Sequence, residues 1–176
     1  AFRYYSKETA LVEGVSRELK VQTEDLPERI AQLSEKLKAA EKEIETLRKQ
    51  QLAARATEFV SAAKDINGFK VIALTLPEGT TGGDLRTVAT DLRNRLREEE
   101  AVIVLGAEDK GKFPFIAAAT DKAVGRGVKS GDIVKEFGQY VDGRGGGKPD
   151  MAQGSGSTAA GAERGFEAVK DMLESL

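Results

Sequence analysis

Gly143-Arg144-Gly145-Gly146-Gly147-Lys148-Pro149-Asp150-Met151-Ala152-Gln153-Gly154-Ser155-Gly156 puts six glycines, two cations and a Pro-Asp pair in one run. Glycine lets a backbone enter left-handed regions and leaves its N–H groups with no side chain in front of them. Successive bare N–H groups form a concave, partly positive nest for anionic oxygens. Arg144 and Lys148 flank that nest with full charges. Two readings of these residues stand side by side. One is a site for a nucleic-acid phosphate backbone; the other is an ordered glycine-rich turn before a helix, with two solvated cations.

The surrounding chain, 176 residues long, has room for one domain and an extension. Its apolar fraction of 40% is adequate for a core, and its charged fraction of 32% points to much exposed helix. A net charge of −2 gives no global field to draw in nucleic acid, so any RNA site is a local patch. Cysteine and histidine are both absent. That removes disulfides, the usual zinc sites, Ser-His-Asp triads and Cys-His pairs. No apolar run approaches the roughly 20 residues needed to span a bilayer, and no charged-then-apolar leader opens the chain. A cytoplasmic protein with no membrane partner is expected. The chain opens at Ala1 inside a predicted helix, and a piece of something longer is expected.

Upstream of the run, the hydrophobic period is helical. Phe2, Tyr5, Thr9, Val12, Ser16 and Leu19 form one seam of a first helix. Pro27 fits the first turn of a second. Leu26, Ile30, Leu33, Leu37, Ala40, Ile44, Leu47, Gln51 and Ala54 then alternate by four and three, the coiled-coil spacing, between charges of both signs. Asn67-Gly68 reads as a helix stop. A helix from Pro27 to about Ile66 would run roughly 60 Å. Its apolar stripe must be covered, and the short connection lets the first helix fold back antiparallel over its first half. Ile30, Leu33, Leu37, Ile44 and Leu47 are therefore candidate oligomerisation residues; the other reading is an intramolecular hairpin that pairs with nothing else.

Between Gly68 and the run, the period changes. Lys70–Leu76, Ala101–Leu105 and Phe113–Thr120 read as strands. Asp84 is expected to cap a helix carrying Leu85, Val88, Ala89, Leu92 and Leu96, with Arg86, Arg93, Arg95 and Arg97 outward. Glu108–Lys112 reads as a hairpin turn. Strand, helix, strand, strand predicts one parallel pair and an antiparallel addition. Residues 121–131 predict a helical turn and a loop, with Ser130 capping a helix that carries Ile133, Val134, Phe137 and Tyr140. Residues 162–176 predict a closing helix with Phe166, Val169, Met172 and Leu173 inward. The division is expected as 1–66 for the helical stalk and 67–176 for an α/β domain with a mixed sheet, preceded by an antiparallel helical hairpin or coiled coil.

Asp142 and Asp150 flank the glycine run, where they could serve metal or acid–base work, or where Asp150 could simply hydrogen-bond the loop. Gln153 either ties the loop down or reaches a ligand. For RNA, the candidates are Arg144, Gly145, Gly146, Gly147, Lys148 and Gln153, with Lys122, Arg126 and Lys129 from the preceding segment; side by side, the two loops would make one cationic patch. Such contacts position RNA without reading its sequence. Tyr140 is read as a core or rim residue before a stacking one.

The run GGGKPDMAQGSG resembles the GGG-basic-PDMAQ-G-G signature near the carboxyl end of bacterial alanyl-tRNA synthetases, with Lys148 where arginine is commoner. The likeness extends over nearly the whole chain: a helical hairpin, then a small α/β domain of the type associated with DHH-family phosphoesterases. The resemblance implies a tRNA-binding and oligomerisation appendage of an alanine–tRNA ligase. It would contact the elbow of alanine tRNA, link aminoacylation to editing, and form a homodimer through its helices. It implies no catalytic residue, metal, cofactor or small-molecule substrate in this chain; ATP, Mg and Zn would belong to upstream parts of the parent enzyme. The phosphoesterases usually carry a histidine just after the glycine run, where this chain has Lys148, and their catalytic metals lie in another domain. The alternatives are a nucleotide- or phosphate-binding domain of such a phosphoesterase, and a pure oligomerisation module.

Overall fold

A computed structural model describes the chain from Phe2 to Leu176, with side chains from Lys7 onward. Two compact units divide at Arg48 and Lys49.

The first unit holds α1 (Phe2–Leu19) and the start of α2 (Leu26–Ala54), joined through a short 3-10 turn at Thr23–Asp25. Among the described residues, the expected antiparallel pairing of these helices does not form: they share no lengthwise packing. Among the described side chains of this unit, burial is confined to the corner, at Ser16 and Leu26. There the Ser16 hydroxyl donates to the Val21 carbonyl. The reason is legible in α1, whose seam places polar Thr9 and Ser16 where large apolar side chains are needed, and Phe2 and Tyr5 lie outside the described side chains. Residues 30–51 of α2 are all exposed.

The second unit is a three-layer α/β/α domain. Its elements are α3 (Ala56–Ser61), β1 (Lys64–Ile66), β2 (Phe69–Thr75), α4 (Gly82–Arg95), β3 (Ala101–Gly106), β4 (Phe113–Ala119), α5 (Asp121–Gly125), α6 (Ser130–Tyr140), β5 (Arg144–Gly147), β6 (Met151–Gly156) and α7 (Ala162–Glu174). The six strands lie in the order β1-β2-β3-β4-β6-β5. Strands β2 and β3 are parallel across the α4 crossover, and the other pairs are antiparallel. Strand alternation splits the core. Val102 and Val104 face Phe137, Phe166 and Val169 on the side of α6 and α7. Ile103 and Leu105 face Leu85, Leu92 and Phe59 on the side of α4 and α3. Phe137 centres the first cluster, 5.0 Å from both the Phe115 and the Phe166 rings.

Three expectations change here. The long helix ends at Ala54 rather than near Ile66, which makes it about 43 Å long at 1.5 Å per residue. Leu52, Ala56 and Phe59 are buried in the α4-side cluster, so residues 49–66 join the compact domain rather than a stalk. Asn67 and Gly68, at φ 52° and 82°, form the hairpin turn between β1 and β2 rather than a helix stop. Two consecutive positive φ values suit a tight hairpin, and Asn-Gly is the pair that takes them most readily. The Asn67 side-chain amide also donates to the Leu173 carbonyl at 3.3 Å, tying that turn to the end of α7.

Candidate nucleic-acid interface

The glycine run is not an open loop but a β-hairpin, with β5 on the sheet edge and β6 inside it. Gly145 and Gly147 face α6. A Cβ at Gly145 would come within 2.5 Å of Val134 Cγ1, and one at Gly147 within 2.6 Å of the Met151 carbonyl oxygen. Glycine is required at both because the partner strand, and at Gly145 the helix as well, approaches too closely for any side chain. Gly146 points the other way: it pairs with Gln153, and a Cβ there would meet nothing within 4 Å.

On that other face, the hairpin borders α4. The Gln153 side chain donates to the Gly82 carbonyl at 3.2 Å and accepts from Arg86 at 3.3 Å. Gln153 thus ties the hairpin to the start of α4. That start is fixed by a reciprocal cap, in which Asp84 N–H donates to the Thr81 hydroxyl and Thr81 N–H to the Asp84 carboxylate. Thr81, not Asp84, is the cap residue. Arg93 donates to Asp150 at 2.8 Å, a second tie between helix and hairpin. That hydrogen bond, above all, holds the Asp150 carboxyl below its ordinary value against the opposing effect of desolvation. Asp150 therefore bonds Arg93 of α4, where the sequence offered a bond to the loop's own backbone or metal and acid–base work.

Between α4 and the hairpin lies a cleft of about 480 Å³, bordered by Arg86, Thr90, Arg93, Gly146, Lys148 and Gln153. Lys148 and Arg144 are exposed. Among the described residues neither makes an ion pair. Arg144 shares the strand face of Gly146, two residues along, but stands outside the cleft. Lys129 is exposed beside the hairpin's tip, since the next N–H, of Ser130, donates to the Pro149 carbonyl at 2.8 Å. Ser130 is the first residue of α6 and does not cap it; Lys129 holds that position.

Two of the expected cations lie elsewhere. Arg126 donates to Glu100 at 2.5 Å and to the Asn67 carbonyl at 3.1 Å, and its guanidinium sits 4.0 Å over the Phe69 ring. Lys122 donates to the Glu98 carbonyl at 2.7 Å. Neither lines the cleft. The residues that sequence reading missed are Arg86 and Arg93, taken there as outward charges. Their spacing with Thr90 and Arg97, at steps of four, three and four, puts them on one helix face, which is the signal that could have found them.

Residues 68–175 match the family model described as the DHHA1 domain. The chain belongs to the DHHA1 domain family. Over its full length it is 52% identical to an alanine–tRNA ligase of Corynebacterium efficiens. This DHHA1-bearing chain spans about a fifth of the length of the curated relatives it matches, 20% in that case. Among solved structures, it resembles the C-Ala domain of Aquifex aeolicus alanyl-tRNA synthetase with a TM-score of 0.58 and 22% identity, over 64% of this chain and 97% of that one. It also resembles RecJ of Thermus thermophilus, solved with Mg2+, with a TM-score of 0.52 and 19% identity, over 74% of this chain and 18% of that one. The resemblance carried by the PDMAQ signature therefore holds, and so does the mixed α/β domain preceded by a long helix. Among the described residues, no helix is long and apolar enough to cross a membrane.

Proposed function

We propose that this chain is a tRNA-binding and self-associating part of an alanine–tRNA ligase, working in the cytoplasm. Its α/β domain binds the elbow of alanine tRNA, and its helical region pairs with a second copy. Through the first contact, the same bound tRNA stays available to aminoacylation and to editing. Both of those centres, with their ATP, magnesium and zinc, belong to other parts of the ligase, and this chain supplies no catalytic group, cofactor or small-molecule site.

The observation that carries the RNA reading is the bare face of β5 lying open beside Arg86, Arg93 and Lys148 in a chain of net charge −2. A local patch on a near-neutral body gives positioning contacts to phosphate, as suits the recognition of a folded RNA by shape. The full-length likeness to alanine–tRNA ligases supports tRNA as the RNA concerned.

A titration of the 176-residue chain against alanine tRNA and an unrelated tRNA tests this. Binding is expected to weaken steeply with salt. Arg144→Ala with Lys148→Ala is expected to weaken it further and to flatten the log–log salt slope by between one and two. Affinity for a free mononucleotide without affinity for tRNA would favour the phosphoesterase-type ligand domain, a reading to which the RecJ likeness contributes fold alone.

A further inference from the structure

We infer that a second, smaller cleft, at the carboxyl end of α4, receives a ribose of the bound RNA, and that Asp121 accepts from its 2′-hydroxyl and so makes the chain favour RNA over DNA. This rests on the tRNA-binding reading and adds to it a specificity residue outside the glycine run.

The second cleft, of about 210 Å³, lies between Arg93, Asn94 and Arg97 on one side and Thr120 and Asp121, where β4 passes into α5, on the other. It is smaller than the sites that enclose a whole small ligand, which suits the edge of a larger one. Arg97 is 79% exposed, and its ion pair is with the adjacent Glu98 at 3.5 Å, a surface contact of little worth. Asp121 is also exposed and borders the same cleft, yet the two opposite charges do not pair. Among the described residues, the Asp121 carboxylate and the Asn94 side-chain amide have no hydrogen bond or ion pair within the chain. Thr120 differs from them. Its hydroxyl accepts from the Ala101 N–H at 3.0 Å and donates to the Glu99 carbonyl at 2.8 Å, so it holds the junction and leaves ligand contact to its neighbours.

Thr90, Arg93 and Arg97 follow at steps of three and four, and so share one helical face. A strand gripped along that face passes the second cleft. What waits there is an acceptor. The nucleic-acid backbone offers phosphate, ester and ring oxygens, which are acceptors as well, so a bare carboxylate beside it is repelled and finds no donor in DNA. The 2′-hydroxyl is the one donor on that backbone, and it is what distinguishes RNA. With Arg97 on a phosphate and Asp121 accepting from the neighbouring 2′-hydroxyl, both unmatched charges gain partners at once. A hydrogen bond to an ionised acceptor is stronger than one between neutral groups. Asn94, with a carbonyl oxygen and an NH₂ group, can accept from the same hydroxyl or donate to the ring oxygen.

A free nucleotide carries the same ribose, so the test separates the two sources. Affinity is measured over a range of salt for alanine tRNA and for the DNA strand of the same sequence, with AMP as competitor. The proteins are the wild-type chain, Asp121→Ala, Asn94→Ala, Arg97→Ala and Asp171→Ala, each with its Tm. The wild-type chain is expected to favour tRNA by roughly tenfold or more. Duplex shape contributes to that ratio, so the informative quantity is its change. Asp121→Ala is expected to lower the ratio by about tenfold, as suits one hydrogen bond to a charged group, with tRNA held more weakly, DNA more tightly and Tm unchanged. Asn94→Ala is expected to lower it by a smaller factor. Asp171→Ala, which removes an exposed acid from α7, should strengthen both ligands alike. Arg97→Ala should weaken both alike and remove about one unit of salt slope. An unchanged ratio in Asp121→Ala, or in Asn94→Ala should Asp121→Ala lower the Tm, would overturn the inference and leave tRNA binding by the chain intact. Wild-type affinity in Arg97→Ala would overturn it as well, since no phosphate would then pass the cleft. AMP that displaces tRNA from the wild-type chain but not from Asp121→Ala would assign the cleft to a free nucleotide and overturn it. Absence of tRNA binding by the wild-type chain would overturn both this inference and the reading beneath it.

Discussion

Asp150 and Arg126 illustrate how a charge can be used up by the fold. The Asp150 carboxyl titrates below its ordinary value of 3.8, chiefly because Arg93 donates to it. With a folded value lower than the unfolded one, the unfolded chain binds more protons in the interval between them. The pair therefore stabilises above the ordinary carboxylate range, and that contribution is lost as pH falls through the folded value. Arg93→Ala is expected to return the Asp150 titration, followed by NMR, to the ordinary range and to loosen the hairpin from α4. An unmoved titration would mean that the two groups do not meet in solution. Arg126 is tied instead to Glu100, Asn67 and the Phe69 ring, at the opposite edge of the sheet from β5. Arg126→Ala is expected to cost about 1 kcal/mol, read as a drop in Tm of roughly 2–4 °C. It should leave tRNA affinity and its salt slope unchanged, in contrast to Lys148→Ala. A binding loss on Arg126→Ala equal to that of Lys148→Ala would return Arg126 to the interface.

At the scale of elements, strands rich in β-branched residues were legible and strands made of glycine were not. Residues 69–76, 101–106 and 113–119 announce themselves by Val, Ile, Leu and Phe, and their parallel-then-antiparallel order follows from the crossover helix. Strand β5 is Arg-Gly-Gly-Gly, with almost no side chain to pack, so nothing in its composition predicts pairing. It pairs because α6 packs onto its face and needs residues without side chains there. Strand β1 was hidden because its three residues follow a helical run, which turned the Asn67-Gly68 hairpin signal into an apparent helix stop. The site divides in the same way. Gly145–Lys148 and Gln153 could be named from the run itself, whereas Arg86 and Arg93 come from α4, about 60 residues upstream, and are joined to it only by the fold. Gly145→Ala tests the packing account. Its methyl would collide with Val134, and overpacking of this kind costs about 1–3 kcal/mol. Gly145→Ala should therefore lower the Tm where Gly146→Ala does not. Equal Tm values for the two would remove the distinction between the faces of β5.

For the molecule as a whole, the open question of association rests on α2. Ile30, Leu33, Leu37, Ile44 and Leu47 are between 37% and 60% exposed, and no described side chain in the first unit covers them. A helix carrying such a seam gains most of its stability by packing the seam against something. Since α1 does not lie along it, the complement with matching heptad spacing is another copy of the same seam. Two copies would place apolar residues at every seam position from Ile30 to Leu47, with the flanking Glu, Lys and Arg left in water. Sedimentation equilibrium is expected to give a concentration-dependent dimer, and Leu37→Glu with Ile44→Glu to give a monomer, because a charge on each chain at a dry seam cannot be paired. The residues lost to the seam are all exposed in the single chain, so the variant's α/β domain should keep its Tm. Its intrinsic tRNA affinity should persist as well, since the cleft lies wholly within residues 86–153. A variant that stays dimeric would shift the contact off α2, and a variant that loses tRNA along with its partner would mean that the RNA is held by two chains together.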